Sequence, residues 1–433
     1  MISQKKTLEE SIYPLNLLNA FLGLSIFEIP CNRPWPKLSI LYILIRSSAY
    51  GALLWYIGTY VPVKHSKIKI IPVVYQVILA VNIFIAAIST VLGIINYRHS
   101  SILVRRLKLA DETLEVFGID PDYVSEYRDI VKKTVLWSVG VALILACEVA
   151  MNCIVFEDLS KGILVTIIFD IPLLQNPMIE LNFGTTISIL GKRFERLNAL
   201  IQNVTDSTTI STISNDVNNY KNILKCNQRK VRVQPTFHQQ NRNNLELLLK
   251  VTRQLHLDLC GISRKVNDVC SKQMSMQMAS TFLLLTGFSY SLYLVYNEPY
   301  ILLEQKAQQY VSLAIWIAIS IFRMIHVVRI SVNVTTEAQK TSQIAHEIQV
   351  PRSKHKLIDE IHQLSLQIMQ HPLYFTASGL IVLDFGYVRG FVGSVTTYLM
   401  ILIQNQPDML KAAYTLAALD NNTVNSLSSG SAK

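Results

Sequence analysis

The stretch FTASGLIVLDFGYVRGFVGSVTTYLMILIQ, residues 375–404, is the most specific part of the sequence and predicts a membrane-spanning helix near the C-terminus. Its apolar residues share the segment with Thr396, Thr397, Tyr398 and Gln404, whereas a helix that contacts only lipid would carry Leu, Ile and Val throughout. Polar groups at membrane depth must face protein or water. We therefore expect one side of this helix to face protein or water.

The rest of the chain has the composition of a membrane protein. Half of its 433 residues are hydrophobic and only 16% are charged, against roughly 25% in soluble domains. Crossing the hydrocarbon core of about 30 Å takes about 20 helical residues, and seven apolar runs are long enough. The sequence thus predicts an all-α, multi-pass plasma-membrane protein with seven transmembrane helices, at residues 38–63, 70–97, 134–156, 162–190, 276–296, 310–334 and 384–404.

The basic residues between these spans predict the orientation. Alternate connecting segments, starting with the N-terminus, contain 29 Lys and Arg, and the others contain 7. Cytoplasmic loops carry the excess of Lys and Arg, so the N-terminus is expected in the cytoplasm and the C-terminus outside. The net charge of +10 then needs no nucleic acid to explain it. This orientation, with no Asp-Arg-Tyr or Asn-Pro-x-x-Tyr motif in place, disfavours a G-protein-coupled receptor.

The predicted topology divides the chain into seven parts. These are a cytoplasmic N-terminus (1–37), transmembrane helices 1–4 (38–190), a cytoplasmic loop and helix (191–275), transmembrane helices 5–6 (276–334), a cytoplasmic helix and re-entry (335–383), the last helix (384–404) and an extracellular tail (405–433). Apolar stripes with helical spacing cross 248–269 and 357–368 and need partners, either within one subunit or between subunits. In the tail, Asn421 begins an Asn-Asn-Thr sequon and is the predicted glycosylation site.

The last span carries a family resemblance. Thr397 and Tyr398, five hydrophobic residues and Gln404 resemble the signature of insect gustatory receptors, and the upstream segment 375–380 with Asp384 is similar to the same family. The chain departs from the family pattern at Asn405, where Phe is usual, and at Ser378, where Cys is frequent. The resemblance implies a tetrameric, ligand-gated cation channel whose last helices line the pore, with Gln404 and its neighbour at the constriction.

Helical spacing supports a pore face without the family. Thr397, Met400, Ile401 and Gln404 share one side of a helix. Four copies would form a narrow apolar constriction capped by amides, which can close by dewetting. The alternative is that Gln404 hydrogen-bonds a neighbouring helix and Met400 packs in the core. Tyr398 is interpreted as a structural part of the motif.

The outer half of the bundle is the predicted ligand site, because the external loops are too short to form a separate domain. Aromatic residues suit sugars by stacking and hydrogen bonding and suit alkaloid cations by cation–π contact, and an intramembrane carboxylate indicates a functional site. Candidates are Glu148, Asn152, Asp170, Gln175, Tyr290, Tyr293 and Trp316. Tyr296 and Tyr310 are instead typical of an interface belt. Arg323 and Arg329 lie deeper and are expected to pair with Glu180 or to snorkel.

Together these patterns predict a gustatory receptor that acts as a non-selective cation channel opened by a small tastant, either a sugar or a bitter, alkaloid-like molecule. Its expected partners are the tastant, cations, membrane lipid and either identical subunits or related receptors, with no nucleic acid. A secondary transporter that uses Glu148 and Asp170 as proton or cation sites is the alternative, although no inverted repeat is evident. The sequence contains no phosphate loop, catalytic triad or zinc site, so neither an enzyme nor a cofactor is expected.

Overall fold

A computed structural model describes residues 6–28, 33–60, 70–156, 159–205, 244–297, 303–348 and 355–405. Asn421, the tail beyond residue 405 and residues 61–63 of the first predicted span lie outside these described residues. The helices are α1 (Leu8–Phe21), α2 (Pro36–Tyr60), α3 (Ile70–Val116), α4 (Tyr123–Phe156), α5 (Leu159–Thr205), α6 (Asn244–Asn297), α7 (Leu303–His346), α8 (His355–Gln370) and α9 (Phe385–Gln404). Two short strands, β1 (Thr376–Ala377) and β2 (Ile381–Val382), pair antiparallel before α9.

Seven of the helices, α2 to α7 and α9, are long and apolar enough to cross a membrane. The described part of each predicted span falls within one of them, which confirms the all-α, seven-helix prediction. Helix α5 continues through Pro172 and Pro177, since neighbouring helices and polar side chains can satisfy the backbone groups that a proline frees.

Five helices are much longer than a bilayer requires. Helix α6 has 54 residues, or about 80 Å at about 1.5 Å per residue. The helices therefore form a second helical layer beyond the membrane, with a shared core that includes Leu255, Leu259 and Phe194. The apolar stripe predicted over 248–269 lies in this layer on the first half of α6.

Helix α8 covers the far end of the second layer. Its buried residues pack against the end of α7 and against α5 and α6 in a separate cluster that contains Ile201, Leu249, Ile344, Ala345, Ile348, Leu357, Ile361, Leu364 and Ile368. The stripe predicted over 357–368 thus finds its partners within one chain, which decides between the two alternatives for this stripe.

A buried ionic network ties α3, α4 and α5 together in the second layer. The guanidinium of Arg193 is fully buried and lies 2.7 Å from both Asp111 and Glu126. Arg196 contributes a second contact of 2.7 Å to Glu126. Removing one member of a buried ion pair leaves an uncompensated charge, so these four residues hold the helices in one arrangement.

A tight hairpin directs the chain into α9. Ser378 (φ 51°) and Gly379 (φ 71°) both have left-handed backbone at the centre of the turn that the Leu380 N–H closes on Ala377 O, as the central residues of a type I′ turn require. Asn267 of α6 fixes the first strand by accepting the Thr376 N–H at 2.9 Å and donating to its hydroxyl at 3.1 Å. Asp384 then caps α9 by accepting the Tyr387 N–H at 2.9 Å. The segment 375–384 therefore anchors the base of the last helix to α6.

Candidate functional site

Helix α9 has one packed and one exposed side. The packed side meets α6 and α7 through Val388, Phe391, Val395, Leu399, Leu402 and Ile403. On the opposite side Thr397, Met400, Ile401 and Gln404 are all exposed, with Met400 53% and Ile401 44% accessible. Met400 is thus no part of the core of its own chain. The four residues predicted to line a pore share a surface that this chain leaves uncovered.

Tyr398 of the family motif reaches back to α6. Its ring meets Phe282 edge to face at a centroid distance of 5.4 Å. Phe391, two turns earlier on α9, meets the same Phe282 at 5.8 Å with perpendicular rings. Phe282 of α6 therefore contacts α9 at two positions and helps to hold the two helices together.

The C-terminal end of α6 brings the predicted ligand-site tyrosines onto α9. Tyr290 is buried with Leu294 and Val295, and Leu399, Leu402 and Ile403 of α9 pack against this group. The rings of Tyr290 and Tyr293 stack at 6.5 Å. Tyr296 is 74% exposed, as expected of an interface residue. A displacement of Tyr290 would thus be transmitted directly to the last helix.

Two further candidates, Glu148 and Trp316, lie in direct contact. The indole Nε1–H of Trp316 donates to Glu148 Oε1 at 2.9 Å, and the Ser312 hydroxyl donates to the same oxygen at 3.0 Å. No Lys or Arg of the described residues forms an ion pair with Glu148. This carboxylate is therefore held between α4 and α7 by neutral donors.

Asp170 is the second carboxylate of the outer half. It is 5% exposed, and its Oδ2 has no hydrogen-bond partner among the described residues. Tyr75 of α3, which the sequence analysis did not single out, packs in one cluster with Trp316, the donor to Glu148, and with Leu173, which follows Asp170 by about one turn of α5. Its ring also contacts Phe288 at 5.7 Å. The two carboxylates, Tyr75 and the α6 aromatics therefore surround one region of the bundle.

Asn152 and Gln175 are engaged in contacts between helices. The amide of Asn152 donates to the Thr166 hydroxyl at 2.9 Å, joining α4 to α5. The amide of Gln175 donates to Thr90 at 3.3 Å, joining α5 to α3. Their side-chain donors are thus committed to neighbouring helices.

A polar junction that the sequence analysis missed lies deeper in the bundle. The Asn82 Oδ1 atom accepts from Asn176 at 2.6 Å and from Ser280 at 2.9 Å, so α3, α5 and α6 meet there. An amide in the middle of an apolar run such as AVNIF is the signal that could have found it.

One predicted ion pair is confirmed. Arg323 of α7 donates to both oxygens of Glu180 on α5, with distances of 3.0 and 2.9 Å. The planar guanidinium matches the carboxylate in a two-bond fork. Among the described residues, Glu148 and Asp170 form no such pair with a Lys or Arg.

Seven helices that are long and apolar enough to cross a membrane, with buried carboxylates and aromatic residues between them, are the architecture of a multi-pass membrane protein. The model of the 7tm chemosensory receptor family matches residues 12–407. The chain belongs to this family, which confirms the resemblance found in the last span; the family consists of receptors and not of enzymes.

Individual relatives and solved structures agree with this assignment. The chain is 23% identical to gustatory receptor 28a of Drosophila melanogaster over 74% of its length and 73% of the relative. It is 26% identical to the Drosophila melanogaster gustatory receptor for bitter taste 66a, across 35% of this chain and 29% of that receptor. The olfactory receptor OR5 of Machilis hrabei in complex with eugenol has the same fold, with a TM-score of 0.54 at 13% identity, covering 91% of this chain and 97% of that one.

Proposed function

We propose that the protein is a gustatory receptor subunit that forms a non-selective cation channel, opened by a small tastant bound in the outer half of the helix bundle. The observation that carries the proposal is the two-sided packing of α9. Its inner side lies against the Tyr290 cluster, and its other side, with Thr397, Met400, Ile401 and Gln404, is exposed. A helix so arranged can join a ligand site to a pore.

In the assembled channel, four copies of α9 surround a central axis with these exposed residues turned inward. Met400 and Ile401 form an apolar constriction that closes by dewetting, while the Gln404 amides help a cation keep its hydration. Asn405 ends the helix, and its N–H donates to Ile401 O at 3.0 Å. With an amide in place of the family's Phe, the hydrophobic seal lies at Ile401, one turn before Asn405.

The ligand is a small molecule with hydroxyl groups or a cationic centre. Glu148, Asp170, Tyr75, Tyr290 and Trp316 supply carboxylates and aromatic faces, which suit a sugar or an alkaloid-like cation. The buried Asp170 Oδ2 and Tyr290 hydroxyl have no partner among the described residues, and buried polar groups normally have one. The eugenol complex of the Machilis hrabei receptor supports a small organic ligand in this fold.

Opening follows from differential binding. A tastant shifts the channel towards the open state only as far as it binds that state better. Contacts of the tastant with Tyr290 and Tyr293 shift the outer end of α6. Helix α9 moves with it, because Leu399, Leu402 and Ile403 pack against this end. The outward movement of α9 at Gln404 then widens the constriction.

Recording of current from the protein expressed alone in oocytes tests the proposal. We expect a tastant-evoked cation current that Gln404→Ala and Met400→Ala alter in conductance or open probability. Met369→Ala is the matched control, because Met369 is 75% exposed on α8, far from the pore. Absence of current across a broad tastant panel, with the protein at the surface, contradicts the proposal.

A transporter that uses Glu148 and Asp170 is the second candidate, favoured by the unpaired Oδ2 of Asp170 in a buried position. Saturable uptake of a labelled solute without a matching current would support it, and loss of that uptake in Asp170→Asn would assign the site.

A further inference from the structure

A cavity lies on the opposite side of the bundle from the proposed ligand site. It encloses about 520 Å³ between α1, the turn after α1, α3, α5 and α6, within the range of about 300–1,000 Å³ usual for small-molecule sites. On α3 its wall comprises residues from Gly93 to Lys108, whereas Tyr75 borders the ligand site. Tyr75 and Gly93 are 18 positions apart, which corresponds to about 27 Å of helix, so this cavity, called the inner cavity below, is a separate site.

The walls of the inner cavity are held in place. Asn19 of α1 and Asn182 of α5 exchange two amide hydrogen bonds at its edge. The turn after α1 lies directly on α3, since a Cβ added at Gly93 would be only 2.2 Å from Leu24 O. Helix α1 is therefore fixed over the cavity and does not fill it, which makes the site preformed.

The lining is amphiphilic. Leu15, Leu190, Ile262 and Val266 come from α1, α5 and α6 and are all buried in the core around the cavity. Ser101, Arg105 and Lys108 of α3 lie at its border and are exposed. Apolar walls beside an exposed cationic border fit a molecule with a hydrocarbon tail and an anionic head.

The charge of this border is set by one segment of α3. Residues 98–110 contain Arg98, Arg105, Arg106 and Lys108 and no acidic residue. Among the described residues, neither Arg105 nor Lys108 forms an ion pair. Of the two carboxylates that line the cavity, Glu28 accepts the Tyr97 hydroxyl at 2.8 Å and Glu9 lies across the cavity on α1. Clusters of Lys and Arg immediately beyond a membrane helix attract the anionic lipids of the cytoplasmic leaflet.

We propose that the inner cavity binds one acyl chain of an anionic phospholipid, with the lipid phosphate at Arg105 and Lys108. At roughly 30 Å³ for a group the size of a water molecule, 520 Å³ holds about 17 such groups, close to one acyl chain of ordinary length. The lipid belongs to the leaflet on the side of the α3 basic segment, the cytoplasmic one in the predicted topology. It bridges α1 to α3 and α6, independently of the tastant.

Native mass spectrometry of the purified, delipidated full-length protein tests this proposal. The probes are palmitoyl lysophosphatidylglycerol, the zwitterionic palmitoyl lysophosphatidylcholine with the same chain, and glycerol 3-phosphate as a headgroup without a chain. We expect the anionic lipid to bind at least tenfold more tightly than the zwitterionic one. Two basic residues at about 1 kcal/mol each predict that Arg105→Gln with Lys108→Gln weakens the anionic lipid about 30-fold.

Two control variants test whether the change in lipid binding depends on the cavity. Arg128→Gln with Lys132→Gln removes the same charge from exposed positions on α4 that do not line the cavity, and it should leave lipid binding unchanged. Ser101→Trp at the exposed border obstructs the chain and should weaken both lipids. The proposal is overturned if the two double variants behave alike, or if glycerol 3-phosphate binds as tightly as the anionic lipid, since the ligand would then be a soluble anion.

Discussion

The substitution Tyr290→Phe tests whether the Tyr290 hydroxyl binds the ligand or stabilises the fold. The Tyr290 side chain is 2% exposed and its hydroxyl has no hydrogen-bond partner among the described residues. A buried polar group left unsatisfied costs about 1–3 kcal/mol. Tyr290→Phe should therefore leave the melting temperature unchanged or raise it by about 1–2 °C. Melting is measured on detergent-solubilised protein by fluorescence-detected gel filtration.

The same substitution should weaken the response to tastant. If the ligand forms a hydrogen bond with the Tyr290 hydroxyl, removing the hydroxyl costs about 0.5–1.5 kcal/mol of binding free energy. This corresponds to an increase of about 2- to 12-fold in the half-maximal tastant concentration. Current recording over a tastant concentration series measures this shift.

Tyr50→Phe is the matched control with the opposite signature. The Tyr50 hydroxyl donates to the Ile168 carbonyl at 2.8 Å and joins α2 to α5. Its loss should lower the melting temperature by about 1–2 °C and leave the half-maximal concentration unchanged. The reasoning is refuted if Tyr290→Phe destabilises the protein as Tyr50→Phe does while the tastant response stays the same.

Three further substitutions test the fold around the site. Arg323→Met should destabilise the protein by about 3–5 kcal/mol, because Glu180 loses the residue that forms two hydrogen bonds with it. Adding Glu180→Gln in the same chain should restore part of this loss in a melting experiment. Strictly additive effects of the two substitutions would contradict the pairing. Gly93→Ala should reduce the amount at the cell surface, since its Cβ would collide with Leu24 O, whereas Gly140→Ala, with open space around its Cβ, should not. Asn82→Leu should cost about 0.6–1.7 kcal/mol by leaving the Asn176 and Ser280 donors without their acceptor, and an unchanged melting temperature would count against that junction.

The membrane helices and the stripe on α8 were predictable because burial imposes a pattern on the sequence. Leu357, Ile361, Leu364 and Ile368 repeat with helical spacing, and all four are buried. Arg323 and Glu180 were predictable as a pair because a charge at membrane depth needs an opposite charge. The extent of α6 was predictable in part: the stripe over 248–269 leads towards the fifth span, and because the chain between them has no proline, the two form one helix of 54 residues.

The candidate site was only partly predictable, because a sequence shows which residues are polar but not what each side chain meets. Glu148 and Asn152 lie one turn apart on α4, yet Glu148 bonds to α7 and Asn152 to α5. Tyr75 lies near the start of its span, where tyrosine usually marks the interface, so its place in the cluster with Phe288 and Trp316 could only come from the packing of α3 against α5 and α6. The exposed side of α9 was found by spacing alone, since Thr397, Met400, Ile401 and Gln404 recur on one face of the helix.

The most direct test of the central claim is cysteine accessibility along α9 during current recording. A cationic thiol reagent should block the tastant-evoked current in Thr397→Cys, Ile401→Cys and Gln404→Cys, because these positions lie on the exposed side of the helix. It should leave the current unchanged in the parent protein and in Leu399→Cys and Leu402→Cys, whose side chains pack against α6. Block at the packed positions, or equal insensitivity at all five, would show that the exposed side of α9 does not line the pore.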